Sequence, residues 1–137
     1  MKAYIDSSVV LRLLLDQPAA MTSWRKWSRL CSSSLLHVEV HRTVDRYRLS
    51  GEINDEQRSR ITAKYDELTA TIEFIPLTAM ILQRASLPFP TVVATLDALH
   101  LASAALAREQ GLAEVFMTHD RQLALAARSV GFTVEGV

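Results

Sequence analysis

Short runs of β-branched and aromatic residues alternate with helical stretches along the whole chain, and this alternation constrains the fold more than any other feature. Strands are expected over Lys2–Ile5, Cys31–Ser34, Ile72–Ile75, Glu114–Met117 and Phe132–Val134. Between them, Asp6-Ser7-Ser8 caps a helix through Val9–Leu15. A helical stretch carries Trp24 and Trp27 one turn apart, and longer helices are expected over Leu35–Leu49 and from Asn54-Asp55-Glu56 to about Ala70. Thr78–Ala85 and a small-residue helix capped by Thr95 and ended by Gly111 follow, then a helix from Thr118-His119-Asp120 to about Val130. Strands separated by helices need right-handed crossovers, which produce a mostly parallel sheet with helices on both faces. The expectation is a single α/β domain over residues 1–137, built in three α/β/α layers around that sheet.

A chain of 137 residues buries about two-thirds of its unfolded surface and needs no covalent staple. With 49% hydrophobic and 22% charged residues, a disordered chain is excluded. Lys+Arg and Asp+Glu balance at 15 each, which excludes a histone-like polycation and an acidic tail. The average hides a local bias: Arg25, Lys26, Arg29, Arg42, Arg46 and Arg48 face only Glu39 and Asp45 between Trp24 and Arg48, a net +4 that suits contact with phosphates. The single cysteine, Cys31, excludes a disulfide framework and a cysteine-rich zinc site and suits a reducing compartment. Asp6 comes too early for a signal peptide, and Arg12 and Asp16 interrupt the first apolar run, so no membrane span is expected and the protein is assigned to the cytoplasm.

Four carboxylates sit where a sequence concerned only with folding would place apolar residues: Asp6 between KAYI and SSVVL, Glu39 in LLHVEV, Asp97 in VATLDALHLA, and Asp120 after EVFMTH. Asp6 and Asp120 fall at carboxyl ends of expected strands, and Glu39 and Asp97 lie early in their helices. That edge of an open α/β sheet is where ligands bind, so the four should share one pocket. Two carboxylates about 5 Å apart repel by roughly 3 kcal/mol at an effective dielectric near 20. Such a cluster either stays protonated or holds cations, and an all-oxygen donor set suits Mg²⁺ or Mn²⁺.

YIDSSVVLRLL, LLHVEVHR, TLDALHLASA and FMTHDRQLALAARSVGF, in this order and over essentially the whole chain, resemble the PIN domain, and more narrowly the VapC-type toxin ribonucleases of bacterial toxin–antitoxin pairs. The resemblance implies a Mg²⁺- or Mn²⁺-dependent endoribonuclease that leaves 3′-hydroxyl and 5′-phosphate products. It also implies an RNA substrate, structured transfer RNA being the commonest target in the family, and a cognate VapB-type antitoxin that holds the enzyme inactive. Position by position it makes Asp6, Glu39, Asp97 and Asp120 the acidic quartet, with Asp6, Asp97 and Asp120 as metal ligands and Glu39 as ligand or water-orienting base. Ser7 and Thr118 match the supporting hydroxyls. Arg25, Lys26, Arg29, Arg42, Arg46 and Arg48 are candidates to guide the RNA backbone. A homodimer is expected, with one of Trp24 and Trp27 in the core and the other at an interface. The rival readings are a PIN nuclease that is no toxin, and a catalytically silent PIN module that binds RNA or protein.

Other chemistries lack their parts. His37 and His41 are one helical turn apart, but Glu39 lies about 200° from them, so if Glu39 faces the pocket both histidines face away and zinc is not expected. No nucleophile elbow, Ser/His/Asp set or phosphate-cradling glycine loop is present, and Ser8 stands where an aspartyl phosphatase would need a second acid. Cys31 is read as a small buried residue, His119 as a loop residue, and His100 either as orienting Asp97 or as packing.

Overall fold

The computed structural model describes residues 1–20 and 26–137; Trp24 and Arg25 lie outside the described residues, and Trp27, expected on the same helix, is not helical. The chain runs β1 (Lys2–Ile5), α1 (Ser7–Leu14), β2 (Arg29–Ser33), α2 (Leu35–Leu49), α3 (Asp55–Thr69), β3 (Ile72–Ile75), α4 (Ala79–Ala85), α5 (Thr95–Glu109), β4 (Val115–Met117), α6 (Arg121–Ser129) and β5 (Thr133–Glu135). All four pairings are parallel, in the strand order β3-β2-β1-β4-β5. The first three strands step outward in one direction and the last two in the other. The order therefore reverses between β1 and β4, and the crevice beyond their carboxyl ends is the place where such sheets bind ligands.

Alternation along the strands builds the three layers. Ala3, Ile5, Val115 and Met117 point to one face, where Val9, Val10 and Leu14 of α1, Leu36, Val40 and Val44 of α2 and Tyr65 of α3 cover them. Tyr4, Cys31 and Phe116 point to the other, against Ile81 of α4, Leu101, Ala104 and Ala107 of α5 and Leu123, Ala126 and Ala127 of α6. The small residues Ala102, Ser103, Ala104 and Ala107 of α5 are buried. Glycines at positive φ end three helices, Gly51 at 80° after α2, Gly111 at 74° after α5 and Gly131 at 91° after α6, where a side chain would be strained. Among the described residues no helix is long and apolar enough to cross a membrane.

Several boundaries differ from the sequence reading for identifiable reasons. β2 starts at Arg29 rather than Cys31 because its pairing with β1 reaches back to Lys2 opposite Arg29. Ala94, not Thr95, holds the cap position of α5, and Thr95 is its first helical residue. Asp6 occupies the cap position of α1, yet its side chain makes no cap bond and accepts instead from the Ser8 and Thr118 hydroxyls. Trp27 is 7% exposed and belongs to the core.

Candidate active site

Asp6 follows β1 directly and is buried, and its backbone N–H donates to Met117 of β4 at 3.2 Å, so it sits on the line where the strand order reverses. Ser8 Oγ donates to its Oδ1 at 2.6 Å and Thr118 Oγ1 to its Oδ2 at 3.0 Å. Those hydroxyls are themselves held, Ser8 by the His119 N–H at 2.9 Å and Thr118 by the Asp120 N–H at 3.0 Å. Each carboxylate oxygen thus has its own hydroxyl donor, and the two hydroxyl oxygens lie 3.3 Å apart. Burial pushes its pKa up, while the His100 charge and the two hydroxyl bonds act the other way.

Asp120 caps α6 through Oδ1, which accepts from Leu123 N–H at 3.0 Å. Asp97 lies in the first turn of α5, where the helix N-terminus favours an anion. Its carboxylate has no hydrogen-bond or ion-pair partner among the described residues. Burial, then the negative charges of Asp120, Asp6 and Glu39, push its pKa up from 3.8 to about 6, against the opposing influence of His100. The four acids named from sequence thus act on one another electrostatically although they come from four separate segments.

Glu39, in the second turn of α2, is held at both oxygens. His100 Nε2 lies 2.5 Å from Oε1, and Ser7 Oγ donates to Oε2 at 3.3 Å. Ser7, expected beside the first acid, therefore serves Glu39, and it is Ser8 that serves Asp6. His100, expected to orient Asp97 or to pack, instead joins Glu39 to Tyr4, whose hydroxyl is 2.7 Å from Nδ1. Ser8 and Tyr4 are the site residues the sequence reading missed. A buried tyrosine in a strand needs a hydroxyl partner, and that requirement is the signal that could have found the second.

His37 and His41 lie on the opposite side of α2, His37 Nδ1 being 2.7 Å from Tyr65 Oη of α3 and His41 packing edge-on to the same ring at 5.1 Å. His119 is tied into the loop by Nδ1, which lies 2.7 Å from the Gly136 carbonyl.

Among the described residues the basic candidates do not form one patch. Arg42 and Arg46 follow Glu39 by three and seven residues, which places them on its side of α2 and extends that side away from the acids. Arg42 also reaches Asp45 at 3.4 Å, and Arg48 pairs with the same residue at 2.9 Å. Lys26 is bonded to Glu135 at 2.8 Å. Arg29 pairs with Glu73 at 2.8 Å and stands at the amino end of β2, at the opposite sheet edge from Asp6.

Residues 3–129 match the family model of the PIN domain, and the chain belongs to that family. It is 31% identical over 137 residues to Ribonuclease VapC47 of Mycobacterium tuberculosis (strain CDC 1551 / Oshkosh), covering 94% of this chain and 92% of that protein. Within the PIN domains it therefore stands with the VapC-type toxin nucleases. A chain in the crystal structure of VapBC2 from Rickettsia felis bound to a DNA fragment from their promoter superposes on it over 98% of each chain, with a TM-score of 0.63 at 13% identity. At that identity the likeness speaks for the fold.

Proposed function

We propose that this VapC-type nuclease is a divalent-metal-dependent endoribonuclease, acting in the cytoplasm as one PIN domain spanning residues 1–137. The observation that carries the reading is the gathering of four acids at the sheet's switch point: Thr118 Oγ1 donates to Asp6 and accepts from the Asp120 N–H, each at 3.0 Å, and His100, one turn after Asp97 on α5, reaches Glu39. A folding-only role gives no reason to gather that repulsion, whereas a hard cation relieves it. Among the described residues no three acidic, histidine or cysteine side chains are already drawn into a metal cage. The fit rests on the donor set instead, which is all carboxylate oxygen with Asp6 pre-oriented. Asp6, Asp97 and Asp120 would hold Mg²⁺ or Mn²⁺, which would activate a water, polarise the phosphate and offset charge on the leaving 3′ oxygen. Glu39, fixed at both oxygens, orients the attacking water. Arg42 and Arg46 contact the RNA backbone without reading its sequence.

The partner proposed is a VapB-type antitoxin, whose arginines would pair with the acids. Trp27 is buried and does not serve as its contact. Exposed Leu82, Leu87, Val92 and Leu96, on α4, the following loop and the start of α5, support a homodimer.

The test is cleavage of a total-RNA pool with Mn²⁺, comparing the parent with Asp97→Asn and with Asp66→Asn on the exposed side of α3. The parent and Asp66→Asn should cut, and Asp97→Asn should lose activity by orders of magnitude with RNA affinity retained. A parent that binds RNA and cuts none of it would replace this reading with the silent binding module.

A further inference from the structure

One buried chain of hydrogen bonds is not used by the mechanism above. It begins at the Ser33 N–H, which donates to Tyr4 Oη at 3.1 Å, passes from Tyr4 Oη to His100 Nδ1 at 2.7 Å, and ends at His100 Nε2 and Glu39 Oε1 at 2.5 Å. Tyr4 is 0% and His100 1% exposed. The chain links three elements: β1 supplies Tyr4, α5 supplies His100, and α2 supplies Glu39. Ser33 anchors the start of α2 as well, since its Oγ accepts from the Leu35 N–H at 3.1 Å. His100 therefore crosses from the α5 layer, where Tyr4 also points, to a carboxylate on the helix layer of the opposite sheet face.

The donor bookkeeping leaves one arrangement toward Glu39. A carboxylate only accepts, so Nε2 donates to it. With a neutral ring, Nδ1 then has a free lone pair and accepts a hydrogen bond from the Tyr4 hydroxyl; with a charged ring both nitrogens donate. In either state Nε2–H points at Oε1, and a ring rotated by half a turn would break two buried bonds. Packing alone would not require it. Tyr4 also stacks on Phe116 at 5.3 Å and meets the His100 ring edge-on at 5.9 Å, so the ring that carries the hydroxyl is fixed too.

We infer that His100 is a positioning residue for the nuclease reaction, holding the Glu39 carboxylate in one orientation, and that Tyr4 in turn sets the orientation of His100. The inference rests on the proposed nuclease reading, with Glu39 as the group that orients water. Ligands such as His in metal sites are commonly oriented by an outer partner in the same way, and loss of such partners costs about 10- to 100-fold in activity. Here the oriented group is the acid and the outer partner is the histidine.

The experiment measures RNA cleavage kinetics with Mn²⁺ for the parent, His100→Leu, His100→Gln, Tyr4→Phe and Glu39→Gln, and for His100→Leu combined with Glu39→Gln. His100→Leu should lower kcat by about 10- to 100-fold with KM changed by about twofold or less. Gln places an amide donor near the Nε2 position, so His100→Gln should recover most of the lost kcat. Tyr4→Phe should give a smaller loss, also in kcat. In the Glu39→Gln background, His100→Leu should add nothing, because the two residues act through one group. If His100→Leu cuts at the parental rate, or if its loss multiplies with that of Glu39→Gln, the positioning role is wrong and the nuclease reading stands. A parent that cuts no RNA overturns both. Should His100→Leu fail to fold, Tyr4→Phe and His100→Gln decide: unchanged kcat in Tyr4→Phe together with full loss in His100→Gln would contradict the chain of orientation.

Discussion

Replacing Asp97 by Asn should make the metal-free protein more stable at neutral pH and leave it unchanged in acid. The Asp97 carboxyl is pushed up from 3.8 to about 6, first by burial and then by the charges of Asp120, Asp6 and Glu39. A displacement of that size corresponds to about 3 kcal/mol favouring the unfolded chain when the group is ionised in both states. Asp97 is only half-buried, so solvent screening reduces this to about half. The helix N-terminus also loses an anion worth about 0.5 kcal/mol. The net gain expected for Asp97→Asn is about 1 kcal/mol at pH 7.5, or about 3–5 °C in melting temperature for a domain of this size. Because the folded pKa is raised, the penalty is absent below the unfolded value of 3.8, grows as pH rises through about 6, and is complete above it. The assay is thermal melting in chelator at pH 4 and pH 7.5 for the parent, Asp97→Asn and Asp66→Asn. A variant that melts lower than the parent at pH 7.5, or an advantage that persists at pH 4, would refute the electrostatic argument.

Cys31 is buried and its thiol is pushed up to about 12 by burial and the nearby charge of Glu73, so iodoacetamide at pH 8 should leave it unmodified in the native protein and label it after unfolding in urea. Trp27→Ala should cost about 3–5 kcal/mol in denaturant unfolding, and Trp27→Phe much less, because the buried indole N–H has no partner among the described residues. Thr118→Val removes a hydroxyl donor from Asp6 and leaves the Asp120 N–H unpaired, so it should destabilise the fold by about 1–3 kcal/mol and lower cleavage, both read on the same preparation. Purification from the native host should bring down a small second chain, and recovery of only free, active nuclease would sink the antitoxin proposal.

Much of the fold was legible because strand and helix periods are local properties. The Leu35–Leu49 helix and the Ile72–Ile75 strand carry their bounds in their own residues. The start of β2 was not legible, since Arg29 is a strand residue only by virtue of Lys2 lying opposite it. The site divides in the same way. Asp6, Glu39, Asp97 and Asp120 stand out as charges in apolar surroundings, a contrast visible along the sequence. What holds those charges is set by side chains that meet across the sheet. His100 lies three residues from Asp97 on the same helix, so a linear reading couples it to that acid. The sheet places the Tyr4 hydroxyl at its Nδ1 and α2 at its Nε2, and the bond goes to Glu39 instead. Ser7 and Ser8 show the same limit, since which of two adjacent hydroxyls reaches Asp6 depends on how α1 leaves the strand.

The most direct test of the shared acidic site is calorimetric titration of the protein with Mn²⁺, without RNA, across Asp6→Asn, Asp97→Asn, Asp120→Asn and Asp66→Asn. Binding to the parent and to Asp66→Asn should be equal, and each of the other three should bind at least about tenfold more weakly, equivalent to ~1.4 kcal/mol or more. Binding by the parent that survives unchanged in all three variants, or no binding by the parent at millimolar Mn²⁺, would contradict the account.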